Sequence, residues 1–136
     1  GMSIALGVNE LMKPLPYVKC RRQINNELKI SLTNIGYGPM YVHEMYICDE
    51  NDRQISYQEL EKNYVVSGPI TDTSHSVQQW INSEEPIGVL LPRNGDIMNN
   101  YQPLYLRIKY DRLSCPFFAT TQSFGINQFL YPSNDD

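Results

Sequence analysis

This chain lacks any early apolar run long enough to cross a bilayer. Ile4-Ala-Leu-Gly-Val8 is far too short for that, since a spanning helix needs about 20 apolar residues. No signal-peptide pattern is visible. Gly1 before Met2 reads as a scar of tag removal, and an anchor trimmed ahead of Met2 stays open beside a cytoplasmic location. Basic residues are few and scattered. Lys and Arg total 11, only Arg21 and Arg22 adjoin, and the net charge is −4. Nucleic-acid binding calls for a basic stripe, so no nucleic-acid partner is expected.

Cysteine is also scarce. Cys20, Cys48 and Cys115 make an odd number, and no two show CxxC spacing. They read as small buried apolar residues in strand-like segments, with one disulfide plus a free thiol as the alternative. The odd count and the absence of an Asn-x-Ser/Thr sequon favour a reducing compartment, hence cytoplasm over cell envelope.

The motifs of enzyme chemistry are missing as well. There is no G-x-S-x-G, no phosphate-binding P-loop, no G-x-G-x-x-G opening a helix and no H-E-x-x-H. His43 and Cys48 suggest a base and a thiol, but alternate side chains on a regular strand face opposite ways. Even with a bulge between them they stay over ~14 Å apart at ~3.3 Å per residue. His75 sits in a loop, away from any short ligand pair that could start a zinc site. Asp49, Asn51 and Asp52 resemble the start of a calcium loop. Arg53, Gln54 and Leu60 then stand where that loop needs an oxygen ligand, a glycine and a glutamate. Glu84-Glu85 reads as a solvated turn before Pro86. No catalytic residue, metal or cofactor is assigned.

What is present is the period of a β protein. Tyrosine is abundant, with 10 residues in the 136, which favours strands over helices. The length suffices for one domain with a hydrophobic core of its own. Leu28, Ile30 and Leu32 alternate with Lys29, Ser31 and Thr33, the pattern of a strand with one buried face. Asn34, Gly36, Gly38 and Pro39 break that strand with residues that allow left-handed or fixed φ. Tyr17–Gln23 and Glu27–Thr33 flank Asn25-Asn26, a tight hairpin turn.

Met40–Cys48 is the next strand, but Met40 and Val42 have one parity while Met45 and Ile47 have the other. A β-bulge near His43-Glu44 brings all four to one face; the alternative is a strand covered on both sides. One of Tyr41 or Tyr46 is then expected to face outward. Ser56 with Glu59 forms a capping box, and Ile55 with Leu60 a hydrophobic staple. They predict a short helix from Tyr57 to about Tyr64, within residues 56–64. Ser67 to Ser76 reads as a long loop broken at Gly68-Pro69.

Val77–Ile81, Ile87–Leu91, Leu104–Tyr110 and Phe117–Ser123 read as the later strands, the last two as a hairpin turning at Asp111–Ser114. Leu104, Leu106, Ile108 and Tyr110 face inward. Residues 2–16 form an edge strand or arm, and 132–136 a frayed tail. Strands recur roughly every 8–12 residues, the rhythm of a sandwich, with a jelly roll or closed barrel as the alternative.

Asn34-Ile-Gly-Tyr-Gly-Pro39 resembles the N-x-G-x-G-P corner of bacterial immunoglobulin-like domains. Leu91-Pro-Arg-Asn-Gly-Asp96 is similar to the turn that precedes a strand in fibronectin-type-III-like and CARDB-type adhesion-associated modules, though here two residues separate Pro92 from Gly95. Leu106-Arg-Ile-Lys-Tyr-Asp111 resembles one strand of their last hairpin. The resemblance covers about a third of the chain and carries no catalytic residues. It implies an all-β, immunoglobulin-like antiparallel β-sandwich of seven to nine strands, residues 1–136 forming one domain.

The function expected is a non-catalytic interaction module with a protein partner, open to homo-oligomer formation. Its expected contact points are the Asn34–Pro39 corner, the Ser67–Ser76 loop and any strand edge open to β-augmentation. The alternative is a carbohydrate-binding module using exposed Tyr and Trp, for which Tyr41, Trp80 and Tyr105 are the candidate ligand contacts.

Overall fold

The structure is a computed structural model that describes residues 12–71, 76–93 and 102–127. Most of the expected N-terminal arm, His75, the Asn94–Asp96 part of the Leu91–Asp96 turn and the C-terminal tail lie outside the described residues. Eight strands form two four-stranded sheets. They are β1 (Pro16–Arg22), β2 (Leu28–Asn34), β3 (Tyr41–Cys48), β4 (Tyr64–Ser67), β5 (Ser76–Trp80), β6 (Glu85–Pro92), β7 (Tyr105–Asp111) and β8 (Thr120–Gly125). The first sheet has the order β1-β2-β6-β4 and the second β5-β3-β7-β8. Every pairing is antiparallel. The architecture is the all-β sandwich that the alternation predicts.

The alternating apolar residues make the core. Leu28, Ile30 and Leu32 from β2 join Met45 and Ile47 from β3, Leu90 from β6, and Leu106 and Ile108 from β7 in one buried cluster. Leu104, Leu106, Ile108 and Tyr110 are all buried, as their spacing requires. The parity conflict in β3 resolves as a bulge. Val42 pairs with Tyr110 and Glu44 with Lys109, which leaves His43 as the extra residue. The same shift interrupts the pairing with β5. Met40, Val42, Met45 and Ile47 are consequently all buried, and Tyr41 and Tyr46 both turn outward rather than only one of them, because the bulge restores parity on the outer face too.

The first hairpin turns at Asn25-Asn26, with Asn26 at φ 66°. The helix α1 spans Tyr57–Glu61, its start fixed by Ser56 Oγ, which accepts the Glu59 amide at 3.1 Å. It is shorter than residues 56–64 because the chain turns at Lys62-Asn63 and Tyr64 opens β4. Tyr64 and Val66 are buried on the core side of β4 and Val65 is exposed, a strand alternation too short to stand out after a helix signal. Ile55 and Leu60 both enter the core.

The Asn34–Pro39 corner holds for a different reason than φ. Among the described residues, glycine φ is left-handed only at Gly68, at 96°. Gly36 and Gly38 are needed because the N-terminal arm crosses them: a Cβ on Gly36 would sit 2.6 Å from the Leu15 amide, and one on Gly38 would overlap the Met12 carbonyl. Asn34 ties the two segments together. Its Oδ1 accepts the Leu15 and Gly36 amides at 3.0 Å each, and its Nδ2 donates to the Gly38 carbonyl at 2.7 Å.

Candidate binding site

Antiparallel pairing brings several connections to one end of the sandwich. β1 begins there, β2 leaves and β3 enters through the Asn34–Pro39 corner, β5 ends at Trp80, and β7 ends at Asp111. Among the described residues this end carries most of the exposed large apolar side chains: Met12, Leu15, Ile35, Tyr37, Trp80, Leu113, Phe117 and Phe118. Tyr37 is 88% exposed, Phe117 95% and Phe118 69%. Large apolar groups gathered in water mark an interaction surface.

Phe117 and Phe118 do not belong to the last hairpin strand, as the sequence pattern suggests. Pro116–Phe118 is a 3-10 turn and β8 starts at Thr120. Proline at the turn's first position presets its φ and has no amide to give to a ladder. The turn is built on Asp111, whose Oδ1 accepts the Leu113 amide at 3.1 Å and whose Oδ2 accepts the Cys115 amide at 2.9 Å. Phe118 N then donates to the Cys115 carbonyl at 3.0 Å. The two phenylalanines are thus presented on a hydrogen-bonded turn.

Beside that turn lies an aromatic cluster. Tyr41 pairs with Trp80 across the β3–β5 ladder and with Asp111 across the β3–β7 ladder. The Tyr41 ring meets Trp80 edge-on at 5.1 Å and His43 edge-on at 4.8 Å. His43 Nε2 lies 3.4 Å from Asp111 Oδ2, and both side chains are buried. The nitrogen is within ion-pair range but lacks hydrogen-bond geometry, and it has no other hydrogen-bond partner. Of the three candidate aromatics, Tyr41 and Trp80 therefore meet. Tyr105 pairs with Cys48, which puts it about 20 Å away along the sheet at ~3.3 Å per residue.

Nucleophilic chemistry finds little support in Cys20 and Cys48. Cys20, Cys48 and Cys115 are free. Burial pushes the Cys20 thiol up to about 11. Burial, then the charge of Asp52, raises Cys48 as well. A thiol kept protonated at neutral pH is a weak nucleophile. Cys115 lies in the β7–β8 connection and not in a strand. Asp49 caps its own turn, accepting the Asn51 and Arg53 amides at 2.8 and 2.9 Å. Among the described residues no group of three or more His, Cys, Asp or Glu side chains gathers as metal ligands.

A concave feature also lies outside the expectations drawn from the sequence. A groove of about 640 Å³ lies against the first sheet, lined by Lys19, Arg21, Lys29, Ser31 and Glu84 over Pro86, Gly88 and Val89. The signal for it was present but divided between two strands. A turn centred on Asn25 folds Arg21 onto Lys29 and Lys19 onto Ser31, and all four have outward parity.

The fold and these two surfaces define a two-sheet antiparallel β-sandwich with an apolar end and a cationic outer groove. No family model, no curated protein and no solved structure matches this chain.

Proposed function

We propose that this chain is a non-catalytic interaction module of immunoglobulin-like type that docks a protein partner with its apolar end. The strand order supports the type. β1-β2-β6-β4 facing β3-β7-β8 follows the two-sheet order of a constant-type immunoglobulin domain. β5 departs from that plan, adding to the edge beside β3 although it comes after β4 in the chain. The observation that carries the function is the concentration of exposed Trp80, Tyr37, Leu113, Phe117 and Phe118 at one end. Aromatic anchors with few rotamers supply large contact area at low entropic cost, which is why protein interfaces are enriched in them.

The test is a photo-crosslinking amino acid placed at Phe117 in the native host. One defined adduct is expected, lost on Trp80→Ala or Phe118→Ser. Phe117 and Phe118 bury little, so Phe118→Ser should change stability by no more than ~0.5 kcal/mol. An adduct set unchanged by both substitutions, or none at all, overturns the reading. A second copy of the chain is one such partner, recognised by an adduct of twice the monomer mass.

The carbohydrate reading rests on the Trp80–Tyr41 pair, since an exposed indole can stack on a sugar ring. It predicts a glycan-array signal that Trp80→Ala or Tyr41→Ala removes while the far-ultraviolet spectrum stays native. A blank array eliminates it.

A further inference from the structure

We infer that the outer groove of the first sheet binds a small organic polyanion, an organic phosphate or a polycarboxylate. Arg21 and Lys29 are directly paired in the β1–β2 register. Like charges opposite one another weaken an antiparallel pair, and here neither is neutralised locally. Lys19 stands two residues from Arg21 on the same face, opposite Ser31. None of the three has an ion-pair partner among the described residues. Among the described residues that line the groove the one carboxylate is Glu84, which accepts the Ser31 hydroxyl at 2.8 Å. Among the described lining residues three cations stand against one carboxylate, two charges positive, in a chain whose net charge is −4. A cationic recess on an acidic protein concentrates anions at that place.

The shape sets the size of the ligand. The volume of about 640 Å³ falls within the roughly 300–1,000 Å³ of small-molecule sites. Two glycines let the 68–70 segment pack closely against β6 beside the groove. Gly88 leaves room for Ile70, whose side chain occupies the place a Cβ would take, and Gly68, at φ 96°, passes so close that a Cβ on it would sit 2.8 Å from the Gly88 Cα. Gly68-Pro69 closes one side as a wall, and Pro86 and Val89 give the floor an apolar surface. The remaining outward positions of this sheet, Tyr17, Thr33, Val65, Ser67 and Leu91, are uncharged. A long polyanion has no cationic track to follow beyond the groove. The register also orders the contacts: anionic groups meet Arg21 and Lys29 at one end, and Lys19 stands with Ser31 and Glu84 at the other. An arginine fork and a lysine ammonium side by side suit a phosphate or a carboxylate equally.

Amide chemical-shift titration of the whole chain tests this, with pyrophosphate, glucose 6-phosphate and citrate as probes. At least one should shift the amides of Lys19, Arg21, Lys29, Ser31, Gly88 and Val89 saturably, and more weakly as salt rises. Phosphate probes alone, or citrate alone, identify the chemistry. Arg21→Gln and Lys29→Gln should each weaken binding about tenfold, while Glu84→Gln should tighten it. Lys109→Gln, on the other sheet, should change nothing. Arg21 and Lys29 are exposed, so both variants should keep native spectra. Three outcomes overturn the inference: no saturable shift with any probe, equal loss in Lys109→Gln, or tighter binding of a single-stranded oligonucleotide than of every small anion. None of these residues belongs to the apolar end, so either proposal can fail alone.

Discussion

Asp111 does three things with one carboxylate. It holds two backbone amides of the β7–β8 turn and lies beside the buried His43 ring. Removing it leaves the Leu113 and Cys115 amides of a half-buried turn without their acceptor, and an unmet buried donor costs about 1–3 kcal/mol. Asp111→Ala should therefore destabilise by about 2–4 kcal/mol in urea unfolding. His43→Leu should cost less than ~1 kcal/mol, because Asp111 keeps both amide donors and the lost Nε2 had no hydrogen bond. Equal costs would show that the imidazole, and not the turn, is what the carboxylate supports. Cys20 offers a second residue-scale check. Its thiol is raised from 9.0 to about 11 by burial. The thiol is protonated in both states below 9.0, and only the unfolded chain ionises between 9.0 and about 11. Its contribution to stability is thus complete below 9.0 and drains away as pH climbs toward 11. In a Cys48→Ala/Cys115→Ser background, the alkylation rate of Cys20 should keep rising past pH 9.0. A plateau near 9.0 would contradict the burial.

At the scale of the element, the β3 bulge was legible and its consequence for the neighbouring strand was not. Two apolar parities in Met40–Cys48 admit only a bulge or a strand covered twice, and the residue at the break is His43. What alternation cannot report is that β5 must accommodate the same extra residue. It does so at Gln78, held at φ 49°, in the left-handed region that disfavours a side chain by about 1–2 kcal/mol. Gln78→Gly should raise unfolding stability by roughly 0.5–1 kcal/mol after the entropy of glycine in the unfolded chain is counted. Gln78→Val should lower it, since a branched Cβ fits that region worst. If both substitutions lower the melting temperature, the side chain at this position matters more than the backbone. The other gaps have similar physical origins. β4 hid because Tyr64-Val-Val-Ser67 follows α1 after only Lys62-Asn63, with no glycine or proline between. Phe117 and Phe118 read as strand because aromatic residues favour strands, yet Pro116 and the Asp111 hydrogen bonds give the turn a stronger claim. Asn34 was legible as a corner residue. Its role as the clasp on Leu15 required a contact 19 residues away in sequence.

For the whole molecule, the decisive feature is that both sheets feed one core. Leu32 from the first sheet and Ile108 from the second are 1% and 0% exposed and belong to the same cluster. Apolar faces of this kind cannot stay in water singly, because the inner face of each sheet is covered mainly by the other. Loss of packing in one sheet must expose the other, which couples their unfolding. Leu32→Ala and Ile108→Ala each remove buried methyl groups and leave a cavity, at a cost of about 2–5 kcal/mol. Each should move a single transition followed by tryptophan fluorescence and by far-ultraviolet dichroism together, although Trp80 reports only on the second sheet. Leu32→Ala is the sharper case, because it lies in the sheet without tryptophan. If it melts the dichroism while the Trp80 signal holds, the sheets unfold separately and the shared core is not what joins them.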